Sequence, residues 1–318
     1  MSSSRLALVI ALGSGLALGG CEPNASSTAP SPAEPTTKDG DDAQESPSSE
    51  APRAKVDTAL GGQIFDKWFK VRGYTGGFLP DAAKSEALDG EAGPNQNGTL
   101  NDQTGAAMAN TGHDYRLKNF FGWDLRGAEG IYGADYQNKP YVLPVNLLTD
   151  TRDQAALAAW FTQGGEGLPA FGDVLTPEQV QAMAAFVIAT REGELPRPEQ
   201  VFALSKDAPK NYSLNEGGDA AKGATFYANS CAGCHGEQGD GFLIDDTYTV
   251  GAYGRTKAYE GWFKVVNGHP GSPMSRQSTD AQEVLDLFAA LCDRTKFPGK
   301  NAEKDAPEGD LRCGAYLK

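Results

Sequence analysis

Five consecutive residues, Cys231-Ala232-Gly233-Cys234-His235, constrain this chain more than any others. Two thiols at this spacing can both reach one porphyrin edge and add across its vinyl groups. The imidazole next in the chain then lies beneath the ring as the proximal iron ligand. Zinc is the competing use of a cysteine pair, but it takes four ligands, and no second Cys/His pair stands at ligand spacing in the 318 residues. The pattern therefore predicts one covalently attached haem c on Cys231, Cys234 and His235.

The flanking sequence supplies what such a group needs around it. Ala220 to Asn229 has the composition of a short helix with Gly223 and Tyr227 on one face, and it leads straight into the cysteines. Downstream, Asn267-Gly268-His269-Pro270-Gly271-Ser272-Pro273-Met274 is a turn-rich segment able to bring a side chain over the far face of the ring. Met274 is the expected sixth ligand, with His269 as the alternative. Tyr259 and Trp262 are either donors towards the haem propionates or plain core. Thr279 and Gln282 suggest a capping box, with Val284, Leu287, Phe288 and Leu291 after it at helical spacing.

With these features in this order, Leu214 to about Phe297 resembles class I cytochromes c. The resemblance implies a haem in a small helical shell with one edge exposed, His and Met on the iron, and a reversible one-electron change.

The preceding segment repeats the order of features without the chemistry. Gly61 and Phe65 echo Gly223 and Tyr227. Leu117-Lys118-Asn119-Phe120-Phe121-Gly122 can be laid over Cys231 to Gly236, with Gly127 matching Gly241. Leu168, in Gly164-Gly165-Glu166-Gly167-Leu168-Pro169-Ala170-Phe171, stands where the ligand methionine would be. Thr176, Pro177 and Gln179 open a closing helix striped by Val180, Met183, Ala184, Val187 and Ile188. Gly122-Trp123-Asp124-Leu125-Arg126-Gly127 is similar to the segment just after the attachment motif in a group of tandem cytochromes whose first domain binds haem. This chain departs from them at all four iron or thioether positions. Leu117, Phe120, Phe121 and Leu168 are expected to fill the porphyrin's space, since a cavity of that size would be strongly destabilising. The Gly/Asn-rich stretch from Tyr74 to Gly112 reads as an insertion, loop or lid, and His113 beside it as a solvated or capping residue.

The N-terminus carries no such patterning. Arg5 and the apolar run Leu6 to Leu18 have the layout of a signal peptide. Leu18-Gly19-Gly20-Cys21 resembles a bacterial lipoprotein cleavage box that makes Cys21 the lipidated mature N-terminus; a plain signal peptide is the alternative. Glu22 to about Thr58 is rich in Pro, Ser, Thr and acids and reads as a disordered tether, reaching on the order of 50–100 Å. Of five cysteines, Cys21 goes to lipid and two to haem. Cys292 and Cys313 are left to pair with each other, two free thiols being the alternative. A net charge of −14 excludes nucleic acid as partner and suits a redox protein with a basic docking patch on its partner, although it can equally serve solubility.

The sequence thus predicts an all-α protein with two cytochrome c-like helical domains in tandem after a signal peptide and a disordered linker. The boundaries are 1–20 signal peptide, 21–58 lipidated linker, 59–205 haem-less domain and 206–318 haem-binding domain. Its expected role is electron transfer at a bacterial membrane, facing the periplasm or cell surface. The alternative is an enzyme or enzyme subunit that oxidises a small reductant with the haem as acceptor. No acid, base or nucleophile constellation supports catalysis, and a gas or redox sensor is a third class.

Overall fold

Helix caps written into the sequence set the framework seen in the computed structural model, which describes residues 56–71, 100–108, 115–135 and 141–318. The described residues all belong to one compact unit of the chain, Pro52–Lys318. The signal peptide, Cys21, nearly all of the linker, His113 and most of the stretch after Tyr74 lie outside the described residues.

In chain order the helices are α1 (Thr58–Lys67), α2 (Leu117–Phe121), α3 (Tyr132–Asp135), α4 (Gln154–Gln163), α5 (Pro177–Glu192), α6 (Pro198–Val201), α7 (Ala220–Ser230), α8 (Ala232–His235), α9 (Val250–Thr256), α10 (Ala258–Asn267) and α11 (Ala281–Leu291). The fold is helix-rich, but not purely α. Strand β1 (Leu100–Asn101) pairs antiparallel with β2 (Ala107–Met108), and β3 (Phe202–Leu204) with β4 (Tyr212–Leu214). The expected domain boundary between residues 205 and 206 falls inside the turn of the β3–β4 hairpin. This hairpin escapes a periodicity reading because its strands are three residues long.

Two helix crossings dominate the packing. Asp57 caps α1 by accepting from the N–H groups of Ala59 and Leu60, and Asp219 caps α7 in the same register, accepting from Ala221 and Lys222. Four residues on from each cap a glycine lets a second helix in. A Cβ on Gly61 would stand 2.0 Å from the Ala182 carbonyl oxygen of α5, and one on Gly223 would stand 1.8 Å from the Asp286 carbonyl oxygen of α11. Only glycine allows backbones this close. The next turn carries Phe65 in α1 and Tyr227 in α7, both buried.

The closing helices start differently. Thr176 and Gln179 form a reciprocal capping box at α5, with Pro177 in the first turn. The box expected at Thr279 and Gln282 is not formed. Asp280 caps α11, accepting from the N–H groups of Gln282 and Glu283, because a carboxylate one residue later satisfies the same orphan donors.

The two halves share one apolar core. Phe263 of α10 inserts among Phe65, Trp123 and Phe186, with ring centroids at 5.9, 5.2 and 5.5 Å. The hairpin seals the other flank, where Phe202 lies 4.3 Å from Tyr259 and the Tyr212 hydroxyl accepts from the Ala258 N–H at 2.9 Å. At the C-terminus Cys292 and Cys313 form a disulfide with Cα atoms 5.9 Å apart. Fully buried Arg255 grips Asp305 through two hydrogen bonds, at 2.6 and 2.7 Å, and donates to the Leu291 and Phe297 carbonyls.

Candidate haem-attachment site

The attachment motif folds as a single turn. α8 runs from Ala232 to His235, the His235 N–H donates to the Cys231 carbonyl at 3.0 Å, and Gly236 ends the turn at φ +81°. Tyr227 holds this end in place, its hydroxyl donating to the Gly236 carbonyl at 2.9 Å. The imidazole ring lies 4.7 Å from Phe242, which is itself 49% exposed.

Three observations bear on whether these residues fit a haem. Cys231 and Cys234 are free thiols, the first half-buried and the second exposed. The Nδ1 of His235 is buried with no hydrogen-bond partner among the described residues. Phe242 stacks beside the imidazole and is exposed, and Phe226, Leu243, Ile244, Val250 and Met274 in the same half are likewise not fully buried. An exposed aromatic ring beside the imidazole, two free thiols and a partnerless ring nitrogen fit the attachment of a large apolar ring. No group of three or more His, Cys, Asp or Glu side chains converges to hold a metal ion among the described residues. A porphyrin takes sulfurs at its edge and imidazole at its centre, so it needs no such convergence. Burial pushes the Cys231 thiol up to about 11 and lowers the His235 imidazole, favouring the neutral ring that ligates iron.

Met274 lies in the loop after α10 and is partly buried against the core. Gly268 caps α10 at φ +84°, and the N–H of His269 then donates to the Met274 carbonyl at 2.9 Å, closing the loop on itself. The His269 ring contacts the Pro270 carbonyl through Nδ1, at 3.1 Å. Tyr259 and Trp262 pack as core against Phe202, yet the Tyr259 hydroxyl and the Trp262 indole N–H are buried without partners among the described residues.

The first half contains turns and caps of closely similar backbone geometry. α2 ends at Gly122 with φ +75° and ψ 162°, against φ +81° and ψ 157° at Gly236. Three residues later Leu125 and Gly239 both take left-handed backbone, at φ +61° and +74°. Gly164 caps α4 as Gly268 caps α10, and the Gly165 N–H donates to the Leu168 carbonyl at 2.8 Å, as His269 does to Met274. Where the second half stays open, the first is closed: Leu117, Phe120, Phe121 and Leu168 are all fully buried. Phe121 packs against Phe65 at 6.0 Å and Trp160 at 5.6 Å.

The charged residues at the junction were not found by sequence reasoning. Asp66 is fully buried between Arg116 and Lys264. Burial alone would raise its carboxyl, but the two cations hold it well below the usual carboxylate range. Asp124 is also fully buried. One of its oxygens accepts from the Ile131 N–H at 3.0 Å and the other has no partner among the described residues. The available signal was a charge set inside an apolar run, Asp66 after Ile64-Phe65 and Lys264 between Phe263 and Val265.

A helix-rich shell around a Cys-x-x-Cys-His turn defines a c-type cytochrome domain, a module for haem-based electron transfer. Residues 218–289 match the family model described as Cytochrome C oxidase, cbb3-type, subunit III, which supports that class for this part of the chain. No curated protein and no solved structure matches the chain. Among the described residues no helix is long and apolar enough to cross a membrane.

Proposed function

We propose that this protein is an exported electron carrier with a single haem c, attached through Cys231 and Cys234 and ligated by His235 and Met274. Haem bound there supplies a reversible one-electron couple. His235, held by the α8 turn and by Tyr227 through Gly236, presents a neutral nitrogen. Met274, on its hydrogen-bonded loop, supplies a thioether that favours the reduced ion and leaves no open position for substrate. The first half is a second copy of the fold that has lost its haem. Its part is structural, covering the α10 face of the haem domain. Cys21 carries the lipid, residues 22–58 tether the folded body to a bacterial membrane, and the acidic chain meets a partner with a basic docking patch.

The observation that carries this reading is the contrast between the two halves. Equivalent turns and caps surround fully buried Leu117, Phe120, Phe121 and Leu168 in one, and two free thiols with a partnerless imidazole in the other. The ligand assignment is tested by Met274→Leu. The ferric protein is expected to lose its near-infrared thioether band and to gain carbon monoxide binding when reduced. A variant that keeps the band places another group on the iron. Cys21→Ser is expected to lose the acyl label and membrane association, and a variant that stays acylated refutes the anchor.

A further inference from the structure

The loop that carries Met274 leaves the end of α10 and is tied at both of its stems to α1 of the first half. On the outgoing stem the Gln63 side chain donates from Nε2 to the Asn267 carbonyl at 3.0 Å. On the returning stem the Arg276 guanidinium donates to the Thr58 hydroxyl at 3.0 Å and to the Val266 carbonyl at 2.7 Å. Between the stems the loop backbone runs close to the same neighbour. A Cβ on Gly268 would stand 2.9 Å from Gln63 Nε2, and one on Gly271 would stand 3.1 Å from the carbonyl oxygen of Lys70, three residues past the end of α1.

These bonds do different work from those inside the loop. The His269 N–H donates to the Met274 carbonyl at 2.9 Å, and the Ser272 hydroxyl accepts from the Met274 N–H at 3.2 Å. Both fix the shape of the loop, but neither fixes where the loop sits as a body. The Val266 and Asn267 carbonyls lie in the last turn of α10, where a helix has no donor of its own to offer, so Arg276 and Gln63 supply the missing partners and anchor the stems. A side chain on a loop holds a metal only while the loop is closed, so its hold depends on the opening equilibrium.

We propose that Gln63 and Thr58, both in the haem-less half, are positioning residues for the sixth iron ligand: they hold the Met274 loop closed, Gln63 directly and Thr58 through Arg276. The inference rests on the proposed ligation by Met274 and gives the first half a part in it. How readily another ligand displaces the thioether is then set by α1, in a half that contributes no iron ligand of its own.

The test titrates the full-length, haem-loaded ferric protein with imidazole and follows loss of the near-infrared thioether band. Imidazole reaches the iron only in molecules whose loop is open, so its apparent affinity scales with the open fraction. Gln63→Met and Thr58→Val each remove one stem bond and are expected to bind imidazole roughly two- to tenfold more tightly than wild type. Thr58→Ser keeps the acceptor and is expected to titrate like wild type. A role in overall stability alone does not move this affinity, because each variant is assayed where urea unfolding shows it fully native. A variant of either residue that titrates like wild type removes that residue from the role, and both doing so overturns the proposal, as does equal tightening in Thr58→Ser and Thr58→Val. Should Gln63→Met fail to fold, the two Thr58 variants decide. The ligand reading fails separately: a wild-type protein with no band for Met274→Leu to remove does not use Met274, and the proposal falls with it. A band that is present, removed by Met274→Leu and displaced alike in wild type and in the Gln63 and Thr58 variants leaves the ligand in place and refutes only the positioning role.

Discussion

Asp124 shows how far one buried carboxyl can tie this fold to pH. Its carboxyl lies against Gly122 and Gly130, and burial raises the acid from 3.8 to about 6. The folded value lies above the unfolded one, so the protonated acid is the form the fold prefers. Its contribution is full below about pH 4 and is lost as pH rises through about 6. A shift of this size corresponds to about 3 kcal/mol. Asp124→Asn is accordingly expected to raise the denaturation midpoint at pH 8 and to leave it nearly unchanged at pH 4, which chemical denaturation at the two pH values would measure. Equal effects at both would place the ionised form in the fold. Residues of this kind were hidden in the sequence because a charge within an apolar run reads as an interruption of the stripe until its partner, distant in sequence, is known. Cys231, Cys234 and His235 were legible for the opposite reason: their chemistry is set by local spacing, and α8 keeps it within one turn.

At the scale of elements, the glycine crossings are the least forgiving contacts. A methyl group at Gly223 or Gly61 meets a backbone carbonyl that cannot step aside, so Gly223→Ala and Gly61→Ala are each expected to destabilise by at least about 1–3 kcal/mol. Gly233→Ala is the control. It lies inside the attachment motif with nothing within 4 Å of an added Cβ, and it is expected to leave both stability and haem content unchanged. Urea unfolding of the three variants makes the comparison. The disulfide acts on the same half by tying the C-terminal segment to the end of α11. Reducing it should lower stability by about 3 kcal/mol on loop-entropy grounds, read as a fall in the thermal midpoint when reductant is added. Helices α5, α7 and α11 and their apolar faces could be read from the sequence because caps and spacing are local signals, whereas α4, α9 and α10 were not read. The α11 cap moved by one residue because Thr279 and Asp280 are both competent caps and only the folded chain selects between them. The β3–β4 hairpin was not legible, since its strands form by packing Phe202 and Tyr212 on Tyr259 rather than by their own pattern.

For the molecule as a whole, the sequence suggested two domains in succession, and the structure joins them through a common core centred on Phe263. Halves that share apolar surface in this way unfold together when the interface outweighs either core. A single cooperative transition is therefore expected for the haem-loaded protein, whereas two separated transitions by calorimetry would show that the halves are independent. The proposed division of labour places all the redox chemistry in one half and asks of the other only a closed core and a hold on the Met274 loop. The most direct measurement of that claim is the intact mass and visible spectrum of the mature protein made with cytochrome maturation machinery. The account predicts the mass of the chain plus one porphyrin, a Soret band, and the loss of both in a Cys231→Ala, Cys234→Ala variant. A chain without porphyrin, or one carrying two, would contradict it.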